Sequence, residues 1–449
     1  MAYSDHYGFG LATTNPAAAT AFDSGARSFV AWRADAVGHL DRAIESDPQF
    51  AMPKLLKGWI LHAARTHKFS PAVQGLLSDA KALLGDASPR ERALARSLEV
   101  ASGGDLQGGV AVLETYLAEN PRDIVVHRLA QFELFWSGES QWMRDIAERA
   151  APAWDDGVPD FPHFQAVRAF SNEEAGDYDT AERAGRDAVE REPESAWGAH
   201  AVAHTLVMQG RVEEGAAFME ALSGNWGKAN QIAHHNWWHL CLFLIERGDY
   251  ARILDLLDTK VRNPDSPLVK AMPDATIDLQ NVASLLQRLE LRGVDIGGRW
   301  DTIAEICAAR VRDHANPFSS AHDAMVLAAV GRFDLIDALI EDMQRYGEGH
   351  KVVGAVTRTV GAPVAEAMAA HRRGEYDRVV ELMWPVRRDL HQIGGSHAQR
   401  DVFFQVLVDA AMRAGRKTET RILLEDVGTI GFEGVRERSL YCDAAAFAG

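Results

Sequence analysis

The sequence predicts an all-α fold: an α-solenoid of stacked helical hairpins that can close on itself. Three observations lead there. A glycine followed by a polar residue recurs at regular intervals, prolines stop helices between those glycines, and no segment alternates apolar and polar residues as a half-buried strand would. The glycine steps are Gly104-Asp105-Leu106, Gly138-Glu139-Ser140, Gly176-Asp177-Tyr178, Gly210-Arg211-Val212, Gly248-Asp249-Tyr250, Gly331-Arg332-Phe333, Gly374-Glu375-Tyr376 and Gly415-Arg416. Their spacings of 34, 38, 34, 38, 83, 43 and 41 residues fall near the ~34-residue period of tetratricopeptide repeats and the ~40–47 of looser helical hairpins. The long interval covers two periods, and Gly293 inside it closes a further apolar helix, Leu279 to Leu291.

Each element has a local cause. Asn15 before Pro16 is a helix start, an amide cap followed by a first-turn proline, which leaves residues 1–13 as an N-terminal arm. At the glycine steps the first helix of a hairpin must end, and a residue without Cβ enters the left-handed conformation most cheaply. Around Gly176 this gives one helix from Phe161 to Glu174 and a second from Tyr178 to Glu190, stopped by Pro193; Pro48 and Pro121 end second helices in the same way. Residues 258–276 carry three prolines and residues 346–363 carry four glycines, so both are expected to be irregular excursions. No shift in composition marks a linker, and residues 1–449 are expected to form one repeat domain.

Composition narrows the function classes. With 449 residues, 47% hydrophobic and 25% charged, the chain has material for a large core. A net charge of −17 disfavours nucleic acid and anionic membrane surfaces as partners. Cys241, Cys307 and Cys442 stand far apart, no apolar run approaches a membrane span, and the N-terminus carries no secretory pattern. A cytoplasmic setting is the expectation.

In stacked hairpins the first helix of each pair lines the concave surface, so ligand-facing residues should precede each glycine step. Before Gly210 lie His200 and His204, and before Gly248 lie His235 and His239; each pair is four apart and shares one helical face. His322 stands at the same offset from Gly331 as His239 from Gly248. Asp278 and Arg288 precede Gly293, and Gln399, Arg400 and Asp401 lie on the helix before Gly415. Trp238 serves as packing or as an apolar wall. Arg400 and Asp401, adjacent on a helix, diverge by ~100°, so one should enter the pocket while the other braces a neighbour.

Two HxxxH pairs raise the question of a metal. In His235-Asn236-Trp237-Trp238-His239 an asparagine stands where a zinc peptidase carries its glutamate base, so no metal and no other cofactor is expected. The metal-free chemistry is general-base catalysis by His204, His235 or His239 paired with Asp278 or Asp401, and an anion clamp from Arg288 or Arg400. Nucleotide-binding glycine motifs and a GxSxG elbow are missing from the sequence.

The order of several strings resembles the tetratricopeptide repeat protein 38 family over nearly the whole chain. They include Thr13-Thr14-Asn15, Asp47-Pro48-Gln49-Phe50, Met143-Arg144-Asp145, His200-Ala201-Val202-Ala203-His204, His235 to His239, Leu244-Ile245-Glu246-Arg247-Gly248, Arg299-Trp300, Asp313-His314, and Gly394-Gly395-Ser396 with Ala398 to Phe403. The chain departs from the family pattern at His234, at His397 and at Ser319-Ser320 before His322, so these carry no strict catalytic assignment. The resemblance implies a tetratricopeptide-like helical fold in the cytosol and brings no settled reaction. The functional expectation is a repeat protein holding a small polar molecule or a peptide segment between His, Asp and Arg side chains, with hydrolysis as the reaction such a pocket could perform. The alternative is a non-catalytic scaffold whose groove clamps a partner's peptide.

Overall fold

The computed structural model describes residues 3–85, 87–349 and 352–449. Among these residues the fold is all-α apart from a two-residue antiparallel pairing of Tyr3–Ser4 with Gly10–Leu11 and an isolated antiparallel bridge between Arg33 and Ala229. The hairpin pattern follows the glycine steps: Gly104, Gly138, Gly176, Gly210, Gly248, Gly293, Gly331, Gly374 and Gly415 all adopt φ between 68° and 92°. Asn15 caps the Pro16–Val30 helix by accepting from the amides of Ala17 and Ala18. Helices Ala36–Ser46, Leu106–Glu119 and Tyr178–Arg191 end just ahead of Pro48, Pro121 and Pro193.

The chain divides into two compact units. The first comprises residues 3–202 and 225–233 among the described residues, and the second comprises 203–224 and 234–449. The division leaves no mark in composition because it needs no linker: the first crossing falls inside the unbroken Ala196–Met208 helix.

In the first unit the arm is docked rather than loose. Arg90 is buried and pairs with Asp5 and Asp123, each at 2.6 Å, and the Tyr116 hydroxyl donates to Asp123 at 3.0 Å. Tyr7 donates to Asp160 at 2.9 Å. Met1 and Ala2, part of the expected arm, lie outside the described residues.

In the second unit the first helices, Thr276–Leu291, Pro317–Ala329 and His397–Arg413, are buried over most of their length. A helix covered on every side has no solvent face on which to place its polar residues, so those residues must be satisfied inside. Both expected excursions turn out to be more ordered than their glycines and prolines suggest. Residues 258–276 hold the end of a π-turn and a short helix, Pro267–Ala271, capped by Ser266. Residues 346–363 carry the end of the Phe333–Gly349 helix and then run through Val353–Val356, a π-turn Thr357–Gly361, and the start of Ala362–Arg372; residues 350 and 351 lie outside the described residues. The glycines there answer to close packing: a Cβ on Gly361 would lie 2.9 Å from Pro317 Cβ, and one on Gly347 2.6 Å from Arg358 Cβ.

Two kinds of glycine should separate on substitution. Gly248, at φ +71° with open space around it, should lose about 1–2 kcal/mol as alanine and recover most of that as asparagine, which tolerates the left-handed region. Gly215, where a Cβ would overlap the Phe243 ring, should lose about 1–3 kcal/mol as alanine and more as asparagine. Denaturant unfolding of the four variants checks the contrast.

Candidate functional site

Three histidines of the second unit converge. His204 comes from the Ala196–Met208 helix, and His235 and His239, one turn apart, from Ile232–Arg247. The His204 and His239 rings are 4.4 Å apart between centroids, and His235 and His239 4.8 Å. Their ring nitrogens all lie within 4.8 Å of one another, and all three side chains are buried. His200 lies one turn before His204 on the same continuous helix and on the same face.

Burial keeps His204 and His235 neutral. The cost of placing a charged imidazole away from water pushes His235 down to about 4, against the opposing hydrogen bond it donates to Asn281. His204 is held well below the ordinary imidazole range by burial first, and then by the neighbouring His235, His397 and Arg400. His235 Nδ1–H donates to Asn281 Oδ1 at 2.8 Å, which leaves Nε2 with its lone pair. The Trp238 ring stacks on His235 at 4.9 Å with an 11° tilt, and its indole N–H donates to Ser284 at 2.8 Å. The ring orientation of His235 is therefore set from two sides.

The remaining predicted residues are buried too, in other company. Asp278 is 2.9 Å from His234 Nδ1, so the carboxylate assigned to the catalytic group faces the one histidine of that run set aside for departing from the family pattern. Burial raises the Asp278 carboxyl, with His234 opposing. His322 donates from Nδ1 to the Phe318 carbonyl at 2.8 Å and packs on Phe403 at 5.0 Å. Gln399, assigned to ligand binding, completes a capping box: its Oε1 accepts from the Ser396 amide at 3.0 Å. Arg400 donates to the Gly395 carbonyl and contacts His397 Nδ1 at 3.2 Å.

Arg288 and Asp401 meet at a different place, the wall of a pocket of about 460 Å³. Its lining includes Glu246, Arg288, Arg292, Asp401, Gln405 and Arg438. Asp401 accepts from the Tyr441 hydroxyl and from Gln405, both at 2.5 Å, and stands 3.8 Å from Arg288. Pocket lining and bracing thus fall on the same residue, Asp401, rather than being split between Arg400 and Asp401. Burial brings Arg288 down to about 10 and also lowers Arg292, since the nearby carboxylates offset only part of the desolvation. His204, His235, His239 and Asp278 are not in the pocket lining.

Sequence reasoning passed over Asn281, Ser284, Arg292, Gln405 and Tyr441. Asn281 lies one turn beyond Asp278, which is the only local signal it offered. Tyr441 is 40 residues from Asp401 and nothing in the spacing links them.

The hairpins and their left-handed glycine steps define a tetratricopeptide-like helical repeat protein. No family model matches the chain. Among solved structures, the human IFIT1 dimer with m7Gppp-AAAA is similar to 84% of this chain and 89% of its own, with 12% identity and a TM-score of 0.36. No helix among the described residues is long and apolar enough to cross a membrane.

The buried neutral histidines make stability depend on pH. His127 in the first unit and His322 in the second are each pushed down to about 4, chiefly by burial. Below the ordinary value of ~6.5 the unfolded chain takes up protons that the folded chain refuses. Stability should therefore be full above about pH 6.5 and fall as the pH drops toward 4, by about 2 kcal/mol per such histidine at pH 5. Unfolding of wild type and of His322→Asn across that range should show a shallower slope in the variant.

Proposed function

We propose that the chain is a repeat protein of the tetratricopeptide repeat protein 38 type, acting in the cytoplasm. Its second unit would bind a small polar molecule or a peptide end bearing a carboxylate. The observation that supports this reading is the pair Arg288 and Arg292 on the wall of the 460 Å³ pocket. Their neighbouring carboxylate, Asp401, is already engaged by Tyr441 and Gln405. Arg288 donates to the carbonyls of Ser284 and Ala398, and Arg292 to Ser439, Gln405 and the Arg288 carbonyl. Most of these acceptors are neutral, so an incoming anion would gain charge-assisted bonds. The pocket's size is that of a small-molecule site. Binding is a better reading than hydrolysis, because the imidazoles first assigned to catalysis lie outside this lining. A peptide-clamping scaffold would need a groove many residues long, and a pocket of this volume favours a short ligand or a chain terminus.

Thermal unfolding with succinate, glutamate, and a tetrapeptide bearing a free or an amidated C-terminus provides the test. A free-carboxylate probe at a hundredfold excess over its Kd should add about 2.7 kcal/mol. Arg292→Gln should remove that gain, and the amidated peptide should give none. No response to any of the carboxylates would sink the reading. Asp401→Asn should cost about 3–5 kcal/mol by leaving Arg288 buried without a carboxylate, measurable in the absence of any ligand.

A further inference from the structure

A second site, separate from the arginine pocket, lies in the imidazole cluster. We propose that His204, His235 and His239 bind a first-row transition cation of the zinc type. This replaces the expectation of a metal-free protein, which rested on the missing HExxH glutamate and the lack of clustered thiolates.

The geometry carries the case. His235 and His239 stand at i and i+4 on one helix, the spacing that lets two imidazoles share an ion, and the facing helix brings His204 to them. Their nitrogens lie within 4.8 Å of one another, close to the roughly 3.4 Å separations implied by bonds of ~2.0–2.1 Å in a tetrahedral site. The donors are all nitrogen, which suits zinc, copper, nickel or cobalt and not magnesium or calcium. The support around the ligands is that of a metal site as well. Asn281 accepts the Nδ1–H of His235, fixing the tautomer that presents Nε2, and Trp238, itself held by Ser284, stacks on the same ring. With Asn236 where a peptidase has glutamate, the peptidase motif is missing, and the site is assigned to binding the ion.

The site is buried, so it should be filled as the chain folds. Protein expressed in medium supplemented with cobalt(II) should carry one equivalent per chain, with the visible absorption of a four- or five-coordinate cobalt ion. Zinc supplementation should displace it, and magnesium or calcium should not. His239→Gln should retain less than a tenth of the cobalt. Asn281→Ala, which leaves every ligand in place, should weaken retention ten- to a hundredfold against a competing chelator. His322→Asn removes a buried imidazole outside the cluster and should retain cobalt like the wild type; circular dichroism confirms the fold of each variant. Wild-type protein without cobalt overturns the proposal, as does equal retention by folded Asn281→Ala or a loss in His322→Asn as large as in His239→Gln. The arginine pocket is read out by anions and Arg292→Gln, so either site can fail without the other.

Discussion

Burial of whole first helices is the constraint from which the rest of the second unit follows. Thr276–Leu291 and His397–Arg413 present no face to water over most of their length, so each polar group on them must find its partner inside. Asp278 finds His234, Arg288 finds two carbonyls, and Asp401 finds Tyr441 and Gln405. The imidazoles of His204, His235 and His239 solve the same problem differently: they turn toward one another. Both candidate sites are thus products of the packing, one where charge is incompletely offset and one where lone pairs gather.

The architecture was legible because its signal is local. A left-handed glycine ends a helix through its own backbone, and a proline stops one through its own ring, so the hairpins could be read residue by residue. The i,i+4 histidine pairs were legible for the same reason. The glycines of residues 346–363 were not, since a glycine that admits a neighbour's side chain looks in sequence like one that makes a turn. Gly361 is explained by Pro317, which no reading of the neighbouring residues would reveal.

The site was legible in its residue types and less so in its pairings. Placing Asp278 beside the His235–His239 pair was reasonable from helix order, yet a side chain's partner depends on which turn faces which. His234, one residue before His235 and ~100° around the helix, faces Asp278, while His235 faces Asn281. Gln399 shows a competing local demand: three residues after Ser396, it is drawn into the helix cap.

The division of the chain bears on how the protein is made. Residues 225–233 belong to the first unit although residues 203–224 before them belong to the second. That returning segment is bonded in place, with the Asn230 amide on the Trp32 carbonyl at 2.8 Å and Lys228 on Glu194 at 2.8 Å. A chain emerging from the ribosome at ~5–20 residues per second therefore cannot complete its first unit when residue 202 appears. Completion waits for residue 233, and by then the Val212–Leu222 helix is already outside with most of its own unit still unsynthesised. That helix must spend the interval without the core it is destined for, with Ala216 and Met219, buried in the folded protein, still exposed.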